Sequence, residues 1–232
     1  MTYEQFVKNQ QHALMREFID DPGQSWIAVP SLEAFRKRHH GAGSWQGLPG
    51  VPTADAVIYR GPMGLELWVR PVDKTAQGDS GYRGHWAKFV AVSGGGEVES
   101  RVNGRAMVID HLHSETAATR HGFGKGYVRM MAVEARGNAT VGSTVEKRLA
   151  SREIPSKSYL SDWFTIAKVS GFRSSFKDGV PPKEVMSALL RHLRNLGYEL
   201  PAGQAPDAPA TMEAILKWSR GVPTNRGVPV EP

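Results

Sequence analysis

"RVNGRAMVIDHLHSETAATRHGFGKGYVRMMAV", residues 101 to 133, decides the fold, because three kinds of local order succeed one another within it. Asn103-Gly104 stands between two short strand-like runs and is the favoured type I′ hairpin turn. Asp110 then stands where an N-cap is expected, and Glu115 falls near the positive end of a helix. Leu112, Ala117, Ala118 and Thr119 suit a short packed helix, which Gly122 closes. Tyr127 to Val133 read as a further strand. The expected order is strand, tight turn, strand, helix, strand.

On the N-terminal side, residues 3–19 read as a helix, with Phe6, Ala13, Leu14 and Phe18 at helical spacing. "SLEAFRKRHH" reads as a second, shorter helix capped by Ser31, and "GAGSWQGLPGVPTAD" as loop. "DAVIYR" and "GLELWVR" flank "GPMG" as a hairpin, and "HWAKFVAVS" reads as a third strand. On the C-terminal side, "EARGNATVGSTVEKRLASRE" reads as a loop entering a helix capped by Ser143 or Thr144. "KSYLSDWFTIAKVSGF" is expected to be helical through Lys168. "PPKEVMSALLRHLRNLGYEL" is an amphipathic helix with Val185, Leu189, Leu190 and Leu193 on one face and Gly197 at its end. A Pro/Ala linker and a last helix, "TMEAILKWSR", follow. Together these predict an α+β protein with a mixed central sheet flanked by helices. The expected parts are an N-terminal helical segment (1–50), an α+β core (51–200), and a linker, short helix and flexible tail (201–232).

Composition narrows the chemistry. With 40% hydrophobic and 22% charged residues in 232, the chain can bury a core without staples. It has no cysteine, which removes disulfides, thiolate metal sites and cysteine nucleophiles. No apolar run approaches the ~20 residues that span a bilayer, and the N-terminus lacks signal-peptide order, so a cytoplasmic protein without a transmembrane segment is expected. The net charge of +6 favours an anionic partner. Nine basic and four acidic side chains lie between residues 101 and 152, which concentrates nearly all of that charge. Arg105, Arg120, Lys125, Arg129, Arg136, Lys147 and Arg148 are the candidate contacts to DNA phosphates. Against this stands the reading of the same charges as a solvated face.

The chemistry-bearing candidates cluster at the same stretch. His111-Leu112-His113 resembles the His–hydrophobic–His triplet with which HUH endonucleases hold a divalent metal, and Tyr127 and Tyr159 would be the nucleophiles. Asp110, His111, Glu115, Glu134 and Glu146 form an alternative carboxylate–histidine set for a divalent metal. "DHLHSE…RGNATVG…EK" also resembles the HNH nuclease order of histidine, then Asn138, then a third ligand, without the third histidine. The structural alternative makes Asp110 a cap, Glu115 a solvated helix residue and Glu146 half of a surface pair. Trp26, Trp45 and Trp86 beside loops read either as base-stacking or as packing residues.

"VIDHLHSETAATRHG" and the strand after it resemble the ParB/sulfiredoxin superfamily, in Ile109-Asp110, the paired Ala117-Ala118 and Gly122. The turn from His111 to Glu115 replaces the arginines that touch nucleotide in the ParB type, and the sulfiredoxin cysteine is absent. Within the superfamily, residues 85–150 look most like the plasmid fertility-inhibition proteins of the Osa and FiwA kind. That resemblance implies a protein that blocks conjugative or type IV secretion DNA transfer. It implies DNA and secretion-apparatus components as partners, DNase and ATPase activity, and peripheral association with the inner membrane through such a partner. Catalysis would then fall to Glu115, His111 and Asp110, with magnesium held by Asp110, His111 and His113 and with ATP as a further cofactor. The competing readings are a non-enzymatic inhibitor of the coupling machinery and an HUH-type nickase.

Overall fold

The computed structural model describes residues 1–21, 23–38, 43–71, 81–120, 123–142, 146, 159–173 and 181–199. The strands are β1 (Trp26–Val29), β2 (Ser44–Gly47), β3 (Ala56–Gly61), β4 (Gly64–Val69), β5 (Arg101–Val102), β6 (Arg105–His111), β7 (Tyr127–Glu134) and β8 (Tyr159–Leu160). The helices are α1 (Tyr3–Asp20), α2 (Leu32–Arg38), α3 (Tyr82–Val92), α4 (Glu115–Arg120), α5 (Ala135–Val141), α6 (Trp163–Val169) and α7 (Pro182–Asn195). The protein is α+β.

β7 organises the sheet. All eight of its residues are buried, as a strand covered on both faces requires. One edge carries β4, in register Leu67↔Met130 to Val69↔Val128, and β3 and β2 continue beyond it. Two strands share the other edge end to end. β1 takes Tyr127 and Val128, and β6 takes Met130 to Glu134. β5 closes onto β6 through Asn103 and Gly104, whose φ angles of 50° and 72° are the paired positive values of a type I′ turn. Every described pairing is antiparallel, where a mixed sheet is expected from the sequence. The reason lies in the connections: the short link through α4 turns the chain back at the same end of β6, whereas a parallel pair needs a crossover to the far end.

α1 is a wedge in this sheet. Thr2 caps it by accepting from Gln5 N at 3.2 Å. The register that pairs Leu67 with Met130 would next oppose Leu65 and Ala132. Instead Gln10 Nε2 donates to Leu65 O at 2.7 Å and Gln11 Nε2 to Ala132 O at 3.1 Å. Two helix side chains thus satisfy carbonyls that the diverging strands leave open. The fork lets one helix serve three clusters. Tyr3, Phe6 and Val7 pack with Trp86 and Phe89, Leu14 with Met131 and Val133, and Phe18 and Ile19 with the apolar faces of α6 and α7.

Several expectations are corrected. "HWAKFVAVS" is helical, not a strand: Trp86, Phe89 and Val90 stand at i, i+3 and i+4, all fully buried, with Trp86 and Phe89 edge-on to Phe6. The Gly/Pro-rich loop contains β2, and β1 and β2, expected within an N-terminal helical segment, belong to the sheet of the core. Asp110 is a strand residue; Ser114 caps α4 instead, accepting from Ala117 N at 3.2 Å. α5 follows β7 directly, with no intervening loop, and β8 occupies the start of a segment expected to be helical. Gly122, Ser143, Thr144 and "TMEAILKWSR" lie outside the described residues. Trp26 and Trp86 are buried, and Trp45 packs on Phe35, Tyr59 and Trp68. No described helix is long and apolar enough to cross a membrane.

Candidate functional site

Strand alternation separates Asp110 from its neighbours. Val108, two residues before it, packs with Leu14, Met131, Val133 and Val169. Ile109 belongs to the opposite cluster beneath α3, and the His111 ring lies 5.2 Å from Tyr82 of that helix. Asp110 therefore faces α6. A capping box starts that helix: Asp162 Oδ1 accepts from Phe164 N at 3.0 Å and Thr165 N at 2.8 Å, and Thr165 Oγ1 accepts from Asp162 N. This anchored start sets the rotation of α6 and turns Lys168 inward, where it is completely buried.

The Lys168 ammonium has three protons and three acceptors. Nζ lies 2.7 Å from Asp110 Oδ2, 2.9 Å from Glu146 Oε1 and 2.8 Å from the backbone oxygen of His111. Three elements meet here: the end of β6, the segment just past α5, and α6. Burial alone would lower the Lys168 pKa, but Glu146 and Asp110 outweigh it and raise it, so the ammonium persists. Burial raises the Glu146 pKa, with Lys168 pulling the other way.

Beside the cluster is a cavity of about 30 Å³ bordered by His113, Ser114, Glu146, Asp162 and Thr165. It has room for on the order of two water molecules, with polar partners to hold them. The arrangement can therefore present a water to a half-buried carboxylate, next to an imidazole, with a fixed cation behind it.

Of the sequence candidates, Asp110, Glu146 and His113 are brought to this place. His111 contributes its carbonyl, while its ring stays with Tyr82. The His113 ring stands edge-on to Phe123 at 5.8 Å. Glu115 sits in the first turn of α4, outside the cluster. Glu134, proposed as a ligand, is buried at the far end of β7 and pairs with Arg105 at 3.3 Å and with Arg173. Among the described residues, no three His, Asp or Glu side chains are placed to hold a metal. The set Asp110, His111 and His113 does not fit a magnesium ion, because Asp110, its one carboxylate, is paired with the Lys168 ammonium at 2.7 Å and the His111 ring is turned to Tyr82. Tyr127, an expected nucleophile, is buried and donates its hydroxyl to Thr53 O at 2.8 Å.

Arg129 overturns another expectation. It lies in the central strand, 1% exposed, and its guanidinium binds Glu17 at 2.5 Å and Glu66 at 3.6 Å, so it cannot reach a phosphate. Arg105, Arg120, Lys125 and Arg136 are exposed. Lys147 and Arg148 lie outside the described residues. Asn138 Oδ1 on α5 is buried without a hydrogen-bond partner.

Lys168 is the residue that sequence reasoning missed. Its signal was a single charge inside the apolar run "WFTIAKV", on a face that the helical period assigns to the core. Comparison with protein families, curated proteins and solved structures finds no match for the chain.

Proposed function

We propose that the chain is a DNA-directed inhibitor of conjugative transfer, of the ParB/sulfiredoxin-like kind, that hydrolyses phosphodiesters laid across the mouth of the water-sized cavity beside Lys168. The observation that carries this reading is the meeting of Asp110 and Glu146 on one buried ammonium at the wall of a water-sized, His113-lined cavity. Glu146 acts as the base. Its carboxylate takes a proton from a cavity water that the His113 ring orients, the resulting hydroxide attacks phosphorus, and the leaving oxygen departs with a proton taken from bulk water. Lys168 holds both carboxylates in place. Arg120, Lys125 and Arg136 supply the salt-sensitive grip on the backbone. No step is assigned to magnesium or ATP.

The test is nicking of supercoiled plasmid by wild type, Glu146→Gln and His113→Ala, each with magnesium and with EDTA. Glu146→Gln keeps an acceptor for Lys168, and a thermal melt checks that the fold is retained. Its nicking rate is expected to fall by about 10² or more. Equal rates in wild type and Glu146→Gln would remove the site from catalysis, and loss of nicking in EDTA would return a metal to the mechanism.

A second reading, a non-enzymatic inhibitor that binds secretion components, is favoured by the closure of the ion cluster. Three acceptors saturate Lys168, and the unit is complete without a ligand. Mating frequency distinguishes the two, because inhibition that survives Glu146→Gln at wild-type strength belongs to the second.

A further inference from the structure

Away from the Lys168 cluster, an open groove of about 580 Å³ runs between α1, the β5–β6 hairpin and the chain beyond α7. Its size is that of a small-molecule site, which the water-sized cavity is not. One wall is a single helical face of α1, with Gln5, Lys8, Asn9 and His12 at i, i+3, i+4 and i+7. The facing wall is Asn103 and Arg105. Met15, Val102, Met107 and Val169 supply an apolar floor.

Two features give the groove a chemical preference. The first is cationic. Lys8 and Arg105 are half-exposed from opposite walls, at 49% and 54% of their side chains. Neither is buried: Lys8 pairs with the exposed Glu4 at 2.7 Å and lies 3.2 Å from the Asn103 amide, and Arg105 meets Glu134 through one nitrogen at 3.3 Å. Glu134 is also held by Arg173, so Arg105 can turn to a ligand without stranding a buried carboxylate. The second is aromatic. The His12 and Tyr198 rings lie 5.6 Å apart, tilted by 30°, with His12 Nδ1 3.2 Å from the Tyr198 hydroxyl. This ring pair gives a flat ligand a surface on which to stack.

We infer that this groove is a binding site for a planar ring bearing one anionic group. The anion sits between Lys8 and Arg105, and the ring lies against His12 and Tyr198. A mononucleotide and an aromatic carboxylic acid both carry this chemistry. The inference is independent of hydrolysis at Lys168.

The experiment titrates the full chain with adenosine monophosphate and with 4-hydroxybenzoate by calorimetry, with adenosine and inorganic phosphate as half-ligands. Saturable binding of either whole ligand, tighter than both half-ligands, is expected, and whichever binds identifies the source. Lys8→Gln, Arg105→Gln and Tyr198→Ala should each weaken it by about tenfold, since each removes one charged or stacking contact. Glu146→Gln should leave it unchanged. Lys8 and Arg105 are surface residues, so their variants keep the fold, and a thermal melt confirms it. Absence of saturable binding by both ligands, or binding that Lys8→Gln and Arg105→Gln leave at wild-type strength, overturns the site.

Discussion

Lys168 and Arg129 each bring a full positive charge into the interior, and each is met by two acidic side chains from distant parts of the chain. Removing one member of such a cluster costs more than the cluster contributes, because the others stay buried and unpaired. Lys168→Met is therefore expected to destabilise by about 3–5 kcal/mol in urea titration. The triple variant with Asp110→Asn and Glu146→Gln should recover most of that loss. Around Arg129 the balance differs, since Glu17 and Glu66 both face one guanidinium. Burial pushes the Glu66 carboxyl from 4.5 up to about 8, against the pull of Arg129, and Trp68 Nε1 donates to Glu66 Oε2 at 2.8 Å. The folded protein then holds a proton on Glu66 that the unfolded chain releases near 4.5. This contribution to stability is complete below that pH and is lost as the pH rises through about 8. Urea midpoints measured at intervals between pH 5 and 9 should fall with rising pH by more in wild type than in Glu66→Gln. Identical slopes would show that Glu66 does not titrate in this range.

At the scale of elements, the fork between β4 and β7 depends on two glutamines. Gln10→Ala or Gln11→Ala leaves a carbonyl of Leu65 or Ala132 without its donor, at a cost of about 1–3 kcal/mol each. Gln5→Ala, on the exposed groove face of α1, serves as the control and should shift the urea midpoint far less. The elements also show where local signals hold and where they yield. Asn103-Gly104 is a turn wherever it occurs between strands, because its positive φ pair is set by those two residues. Residues 85–93 are different. "HWAKFVAVS" alternates well enough for a strand, and the apolar surface offered by Tyr3, Phe6 and the strands beneath makes the helical set Trp86, Phe89 and Val90 the one that is buried. Asp110 has the chemistry of a cap, yet it is strand, because β7 continues to Glu134 and leaves an edge that β6 fills.

Over the whole molecule, β7 is the common member: β4 on one side, β1 and β6 on the other, and α1 set into the fork. The charge distribution follows from that placement. Of the basic residues clustered between 101 and 152, the one on β7 is turned inward, while Arg105, Arg120, Lys125 and Arg136 stay in water. The sequence by itself determined the α+β class, the hairpins at 55–70 and 101–109, the strand at 127–133, the amphipathic helices at both ends and the absence of thiol chemistry. These are properties of hydrophobic period, turn residues and composition, which act within about a dozen neighbours. Only the tertiary structure decided that Asp110, Glu146 and Lys168 meet, that Arg129 is internal, and that α1 and the hairpin enclose a groove. Each of these joins residues from 22 to 112 positions apart, and no local pattern records which distant carboxylate will neutralise a buried cation.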